Sequence, residues 1–310
     1  MHLSFDPMTL HSATGADLRL YVSEARDARG VVQINHGLAE HAARYERFAA
    51  FLGGRGYHVL AHDHRGHGFT KAADAPRGRF AATEGAAKVI EDAASVLDLA
   101  TERWPEVPQI VFGHSMGALV AIALLQSRGA ALAGAAIWNG PTSAGVSLYL
   151  ARTLLAWERF RMGSDVPSIV MPRATFYAWA NQIPNRRTDF DWLSHDEAEV
   201  DAYAADPLCG WNGSVSLWLD LLALTESAAD RQRWLNVPRS MPIQLVSGAE
   251  DPVTKGGAVV EALGKRLKQM RFSNLETTRY GGTRHEGLNE LNRNIIMADF
   301  ANWADRALGA

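Results

Sequence analysis

The sequence has little cysteine and no surplus of charge of either sign, and both absences narrow the function classes. The single cysteine, Cys209, excludes an intramolecular disulfide and a zinc site built from cysteines, and it suits a reducing compartment. The 34 acidic residues against 31 basic ones give a formal net charge of -3, which offers no basis for binding a phosphate backbone. We therefore expect neither a disulfide scaffold nor a nucleic-acid partner.

Long apolar runs are also missing. No stretch approaches the roughly 20 apolar residues that cross a bilayer. The opening segment, Met1 to Leu20, contains Asp6, Pro7 and Asp17 and lacks the apolar run of a secretory signal. We expect a soluble protein of the cytoplasm. With 310 residues, 47% of them hydrophobic, the chain is long enough to bury a large core in one or two domains.

Short β-rich runs alternate with amphipathic helical patterns along most of the chain. This alternation is typical of a parallel sheet with helices on both faces, so we predict an α/β fold. The predicted strands cover residues 18–22, 31–35, 57–61, 109–112, 135–138, 242–247 and 277–280. The predicted helices lie around 45–52, 89–100, 118–126 and 257–270, with a closing helix from about 288.

The alternation stops between residues 141 and 235, where the sequence becomes helical and aromatic. Six of the nine tryptophans lie in this stretch. A helical block within a continuous α/β pattern is typical of an insertion over the carboxyl edge of the sheet. We predict one α/β domain from residues 1–140 and 236–310, interrupted by a helical cap, or lid, over 141–235.

The motif Gly113-His114-Ser115-Met116-Gly117 lies between a predicted strand and a predicted helix. In that setting a G-x-S-x-G pattern indicates a nucleophilic serine. The flanking Gly113 and Gly117 fit a strained turn with no room for a Cβ. Because the turn opens a helix, its free N–H groups and the helix dipole favour a developing oxyanion. Ser115 is the predicted nucleophile, and the alternative is a glycine-rich turn in which the serine only caps the helix.

A serine nucleophile needs a base, and the base needs an acid that fixes its tautomer. In the expected chain order of serine, acid and histidine, only His195 and His285 follow the serine. We choose His285, because it follows the last predicted strand, whereas His195 lies in the helical block. The acid should follow the preceding strand, where Glu250 and Asp251 are adjacent. We choose Asp251, because Pro252 gives it a defined turn, and keep Glu250 as the alternative.

Backbone N–H groups are the predicted oxyanion donors. One belongs to the residue after the nucleophile, Met116, and the other to the loop after an earlier strand. His36-Gly37-Leu38 directly follows the strand at 31–35, so Leu38 is the predicted second donor. Each such donor is worth about 3 kcal/mol of transition-state stabilisation. The alternative is that this loop is only a strand-ending turn.

Four runs of sequence carry a family resemblance. They read HGLAEHAARY from His36, DHRGHG from Asp63, GHSMG from Gly113 and RHEGLNE from Arg284. Together they resemble the monoacylglycerol lipase and lysophospholipase branch of the α/β-hydrolases, and the likeness spans most of the chain. The resemblance implies the roles already assigned: Ser115 as nucleophile, Asp251 as acid and His285 as base, with Leu38 and Met116 as oxyanion donors.

The run His62-Asp63-His64-Arg65-Gly66-His67 has three histidines spaced like the zinc ligands of some metallo-hydrolases. Gly66 replaces the aspartate of that pattern, so we interpret the run as a tight turn whose histidines hydrogen-bond locally. Asp63 and Arg65 are expected to form an ion pair or to clamp the backbone. We predict no metal and no cofactor. A metal-dependent hydrolase that uses these three histidines is the alternative from a different class.

The motifs together predict a serine hydrolase that cleaves carboxylic esters through an acyl-enzyme. An aromatic, leucine-rich cap predicts an apolar pocket wall, so the expected substrates are small-molecule acyl esters or lipids, such as monoacylglycerols or lysophospholipids. Transient contact of the cap with a membrane surface is compatible with this, and no oligomeric state is assigned. The alternatives are an esterase of small non-lipid esters, a peptidase or lactonase of the same fold, and a non-catalytic binding protein.

Overall fold

An eight-stranded sheet organises the part of the chain that this computed structural model describes, residues 5–143 and 145–309. Residues 1–4, 144 and 310 lie outside the described residues. Residues 1–4 belong to the opening segment that is expected to lack a secretory signal. The strands are β1 (Asp6–His11), β2 (Asp17–Ser23), β3 (Gly30–Asn35), β4 (Tyr57–His62), β5 (Gln109–His114), β6 (Gly134–Trp138), β7 (Ile243–Gly248) and β8 (Leu275–Tyr280). Their order in the sheet is β1-β2-β4-β3-β5-β6-β7-β8.

The sheet is parallel except at one edge, which confirms the predicted α/β fold. Strands β1 and β2 pair with each other antiparallel, and β2 pairs antiparallel with β4. The remaining neighbours are parallel. Strands β3 to β7 are buried along their whole length, as expected for parallel strands covered on both faces. Strand β1 is absent from the sequence prediction; it is a largely exposed edge strand.

Helices cover both faces of the sheet. In chain order, the helices of the described residues are α1 (Glu46–Gly54), α2 (Gly85–Arg103), α3 (Met116–Arg128), α4 (Val146–Met162), α5 (Val170–Ala174), α6 (Phe176–Ala180), α7 (Glu197–Ala205), α8 (Val215–Ala229), α9 (Ala258–Gln269) and α10 (Arg293–Leu308). Along β5, Ile110 and Phe112 join the apolar core with α1 and α10, whereas Val111 joins the core with α2 and α3. This alternation has the two-residue period of a strand.

Helix α3 holds the residue that precedes it, Ser115, in position. It packs against β5 and β6 on one side and against α8 on the other, so that nearly every side chain of the helix is buried. The predicted helices are present with shifted ends. The closing helix starts at Arg293 rather than near 288, because Gly287–Asn289 form a separate 3-10 turn.

Helices α4 to α8 lie between β6 and β7, within the segment 141–235 that the sequence assigns to a cap. Helix α8 contacts α2, α3 and α4, so this segment rests on the helices of the sheet domain. Within the described residues, none of the helices combines the length and the apolar character needed to cross a bilayer.

Candidate active site

The predicted nucleophile, Ser115, stands on a sharp turn between β5 and α3. Its backbone φ is +56°, a left-handed conformation that residues with a side chain rarely adopt. The N–H of Ser115 donates to the carbonyl oxygen of Trp138 at 2.9 Å, which ties the turn to β6. An added Cβ at Gly113 would collide with the carbonyl of Gly117, and one at Gly117 with the carbonyl of Asn35. Close backbone packing therefore requires both glycines of the motif.

The three predicted triad residues come together at the carboxyl edge of the sheet. His285 Nε2 lies 2.9 Å from Ser115 Oγ, and His285 Nδ1 lies 3.0 Å from Asp251 Oδ1. Asp251 follows β7 and His285 lies in the loop after β8, so the ends of parallel strands deliver all three side chains. Asp251 and His285 are buried. This arrangement can move a proton from the hydroxyl to the imidazole.

The carboxylate of Asp251 accepts hydrogen bonds from several sides. Oδ2 accepts from Asn139 Nδ2 at 2.8 Å and from the Thr254 hydroxyl at 2.7 Å, and Oδ1 accepts from the N–H of Val253 at 2.9 Å. Burial by itself raises the pKa of Asp251, but the charge of His285 and these hydrogen bonds outweigh it and hold the pKa below its ordinary value. Asp251 is therefore ionised at neutral pH and can stabilise an imidazolium.

The two alternatives considered from the sequence lie elsewhere. The side chain of Glu250 is 54% exposed, and its Oε2 lies 3.0 Å from Nε2 of His195. His195 also places Nδ1 2.9 Å from Oε1 of Glu290. The structure therefore brings Asp251, and not Glu250, to His285.

The loop after β3 passes directly beside the nucleophile. An added Cβ at Gly37 would lie 3.4 Å from the Cβ of Ser115. The next residue, Leu38, lines the same pocket as Met116. Met116 is the first residue of α3, and N–H groups in the first turn of a helix have no acceptor within that helix. The oxyanion roles of Leu38 and Met116 remain predictions, and this placement fits them.

A buried ionic network beside the triad is absent from the sequence prediction. Glu40 accepts the N–H of Gly37 at 2.5 Å and the hydroxyl of Tyr45 at 3.0 Å. Arg44 donates to Glu40 at 2.5 Å and to the two carboxylate oxygens of Glu286 at 2.8 Å each. The i,i+4 spacing of Glu40 and Arg44 is the sequence signal that could have identified this pair.

The network reaches the nucleophile turn and the base through His114. His114 Nδ1 lies 3.5 Å from Glu40 Oε1, and its Nε2 lies 3.0 Å from the carbonyl oxygen of His285. Burial lowers the pKa of His114, but the hydrogen bond and charge of Glu40 outweigh it and raise the pKa. Burial likewise raises the pKa of Glu40, but Arg44 and His114 hold it well below its ordinary value. The network thus links the loop after β3, the serine turn and the loop of the base.

The histidine-rich loop after β4 is buried. Asp63 accepts the N–H groups of Ala42 and Phe69, each at 2.8 Å, and so clamps the backbone as expected. Arg65 pairs with Asp92 at 2.8 Å, with both side chains fully buried. The ion pair expected between Arg65 and Asp63 is therefore wrong, because helix α2 offers Arg65 a closer carboxylate.

The histidines of this loop, residues 62, 64 and 67, do not form a metal-ligand group. Among the residues that the structure describes, only His41, Asp206 and Cys209 bring ligand atoms within 4.8 Å of one another. His41 Nε2 is already 2.8 Å from Asp206 Oδ2, and burial raises the pKa of the Cys209 thiol.

A pocket of about 350 Å³ lies over Ser115 and His285. Glu40, His114, Lys255 and Glu286 contribute polar or charged lining, and most of the apolar wall comes from α3 and the cap segment. The apolar residues include Leu119, Leu148, Met171, Phe176, Trp179, Trp192, Trp218, Leu221 and Leu222. The pocket therefore suits a small amphipathic ligand.

The chain is similar to proteins named as hydrolases. Residues 26–292 match the family described as Serine aminopeptidase, S33. A monoacylglycerol lipase of Mycolicibacterium smegmatis is 29% identical over 287 residues, which cover 89% of this chain and 88% of the relative. A monoglyceride lipase of Mus musculus is 26% identical, covering 91% and 84% of the two chains. A carboxyl esterase structure from Bacillus coagulans has a TM-score of 0.87 at 24% identity, covering 99% of both chains, and shows the shared fold.

Proposed function

This chain belongs to the α/β-hydrolase family described as Serine aminopeptidase, S33, and we propose that Ser115, His285 and Asp251 are its catalytic triad. The resemblance identified from its motifs is confirmed, and the chain is a carboxylic-ester hydrolase. The 2.9 Å contact between His285 Nε2 and Ser115 Oγ is the observation that carries the proposed triad.

Acylation begins when His285 takes the proton of the Ser115 hydroxyl. Oγ then attacks the ester carbonyl carbon, and the carbonyl oxygen becomes an oxyanion. The N–H groups of Leu38 and Met116 bind that oxyanion, each worth about 3 kcal/mol. The C–O bond to the alcohol breaks as the His285 imidazolium returns its proton to the leaving oxygen. Asp251 stabilises the imidazolium while it exists.

Deacylation repeats these steps with water in place of the serine. His285 removes a proton from water, the hydroxide attacks the acyl carbon, and the bond from that carbon to Ser115 Oγ breaks. The proton returns from His285 to Oγ, which restores the free enzyme and releases a carboxylic acid. The buried network around Glu40 supports this cycle by holding the loop that carries Leu38.

We propose monoacylglycerols as the substrate class, with lysophospholipids as the second choice within the same branch. The pocket has a large apolar wall and opens over Ser115 and His285, which matches a single acyl chain whose ester group reaches the serine. The relatives named monoacylglycerol lipase, at 29% identity, and monoglyceride lipase, at 26% identity, support the same choice.

The family description raises aminopeptidase activity as a second candidate. An aminopeptidase must bind the terminal ammonium of a peptide, for which an unpaired carboxylate in the pocket is the natural partner. The described residues that line the pocket include two carboxylates, Glu40 and Glu286, and both already bind Arg44. This pairing favours the ester substrate.

We propose that residues 141–235 act as a cap that walls the pocket and touches lipid transiently. Helix α4 lines the pocket with Leu148 and Ala151. The same helix exposes Leu150, Trp157 and Phe160, and Phe160 is 90% exposed. An apolar surface beside an acyl pocket fits contact with a lipid surface. A cytoplasmic location belongs to the same proposal and is supported by the low cysteine content.

The decisive experiment measures kcat/KM on esters of graded acyl length and head group. Each additional buried methylene contributes about 0.8 kcal/mol, so kcat/KM should rise about fourfold per methylene until the pocket is full. Glyceryl monoesters should exceed lysophospholipids of equal chain length, and Ser115→Ala should remove activity on every member. An optimum at acetyl esters, or faster cleavage of peptide substrates, would contradict the lipid assignment.

A further inference from the structure

His195 contacts both loops that carry the other proposed triad residues. Its Nε2 lies 3.0 Å from Glu250 Oε2, and its Nδ1 lies 2.9 Å from Glu290 Oε1. Glu250 immediately precedes Asp251, and Glu290 follows shortly after His285 in the chain. One imidazole ring from the segment between β6 and β7 thus joins the loop of the acid to the loop of the base.

We call residues 249–257 the acid loop and residues 281–292 the base loop. The N–H of Glu250 donates to the carbonyl oxygen of Thr283 at 3.0 Å, so the two loops also meet through their backbones. Glu290 is fully buried and accepts the N–H groups of Arg284 at 2.8 Å and of His195 at 3.1 Å. The carboxylate that holds His195 therefore also shapes the base loop next to His285.

The residues before His195 lie along the base loop. The carbonyl oxygen of Leu193 accepts the N–H of Glu286 at 2.8 Å. The guanidinium of Arg284 donates to the carbonyl oxygens of Asp191 at 2.6 Å and Ser194 at 2.9 Å. This part of the segment is anchored to the catalytic loops, unlike the exposed face of α4.

The ring of His195 faces a carboxylate oxygen at each nitrogen. A neutral imidazole has one N–H and can donate one of these hydrogen bonds, whereas an imidazolium donates both. Each loop therefore offers the ring a carboxylate oxygen within hydrogen-bond distance.

We propose that His195 is a positioning residue whose ring links the acid loop to the base loop and thereby fixes the 3.0 Å contact between Asp251 and His285. The inference rests on the proposed triad and deepens it. His195 acts through His285 and touches no reacting atom. A displacement of about 1 Å in a catalytic group can cost about a hundredfold in rate, and the other bonds between the loops limit the effect here to about tenfold.

The test compares His195→Leu with His195→Arg. His195→Leu should lower kcat about tenfold with KM within about twofold, because the triad loosens while the pocket keeps its shape. His195→Arg should recover most of kcat, since a guanidinium is always charged and can donate to both carboxylates. The control is Glu199→Gln, which removes the 2.5 Å ion pair between Arg47 and Glu199, another contact of this segment with the sheet domain. It should leave kcat unchanged.

Glu250→Ala provides a second variant that changes an exposed side chain and so keeps the fold. Glu250→Ala should reproduce part of the loss of kcat. The double variant with His195→Leu should have a kcat little below that of His195→Leu alone, because both substitutions remove the same link. An unchanged kcat in Glu250→Ala, a loss that arginine does not recover, or a change confined to KM would overturn the inference. Activity that survived in Ser115→Ala would instead contradict the triad itself, so the two failures are distinguishable.

Discussion

Glu40→Gln is the substitution that most sharply tests how the buried network supports the site. The carboxylate accepts from Gly37, Tyr45 and Arg44, and it faces His114 at 3.5 Å. Glutamine has the same shape but only one acceptor oxygen. If that oxygen keeps the bonds from Gly37 and Tyr45, the amide NH₂ group points at the Arg44 guanidinium, and two donors then oppose each other.

The structure sets the size of the expected effect. Breaking a buried ion pair costs about 3–5 kcal/mol. Because Arg44 keeps its two hydrogen bonds to Glu286, we expect the free energy of unfolding to fall by about 3 kcal/mol, the lower end of this range. Gly37 directly precedes Leu38, and a loosened loop forfeits part of the roughly 3 kcal/mol of one oxyanion donor. We therefore expect kcat to fall between about 10-fold and 100-fold.

Urea denaturation followed by tryptophan fluorescence measures the first effect, and steady-state kinetics on a soluble ester measures the second. The matched control is Glu276→Gln, which removes an exposed 2.8 Å ion pair with Arg306. Exposed pairs contribute about 0–1 kcal/mol, so this control should be nearly silent in both assays. Wild-type stability and kcat in Glu40→Gln would refute the argument that the network holds the loop after β3.

Three further predictions address the acid, the buried histidines and the cap. Asp251→Asn should lower kcat by about 10⁴-fold with little change in KM, measured on a soluble ester; a loss below tenfold would remove Asp251 from the triad. Burial lowers the pKa of His62 and of His67 to about 4, against about 6.5 when unfolded, so the unfolded chain binds more protons as the pH falls below 6.5. The free energy of unfolding should therefore be highest above pH 6.5 and should fall by roughly 2 kcal/mol for each histidine by pH 5. A urea midpoint that does not change with pH between 6.5 and 5 would contradict this. Replacing Trp157 and Phe160 with serine should reduce sedimentation with phosphatidylcholine vesicles while hydrolysis of a soluble ester is kept; unchanged sedimentation would exclude contact through α4.

The fold was largely predictable because the spacing of apolar residues differs between its buried strands and its amphipathic helices, and both spacings are visible in the sequence. Strand β3 carries Val31, Val32 and Ile34 and is buried at every position, and the buried positions of α2 repeat at helical spacing. Strand β1 was not predictable from the same signal. It contains Pro7 and is largely exposed, and it is held by backbone pairing with β2 rather than by an apolar pattern.

The proposed triad could be predicted because each member lies in the turn or loop after a strand, within a recognisable run. Ser115 follows β5, Asp251 follows β7 and His285 follows β8. Apart from the Glu40–Arg44 pair, the supporting contacts could not be predicted, since the partners are distant in sequence. Arg44 and Glu286 meet across 242 residues, and His195 and Glu290 across 95. Such pairs depend on how the loops fold onto one another, which no local pattern reports.

The central claim is that Ser115 is the nucleophile of this hydrolase. Titration with an alkyl fluorophosphonate, followed by intact-mass measurement and peptide mapping, tests it most directly. We expect one phosphonyl group per chain, located on Ser115, with activity lost in proportion to labelling and no labelling of Ser115→Ala. Activity that persists in the fully labelled protein, or a phosphonyl group on another residue, would contradict the claim.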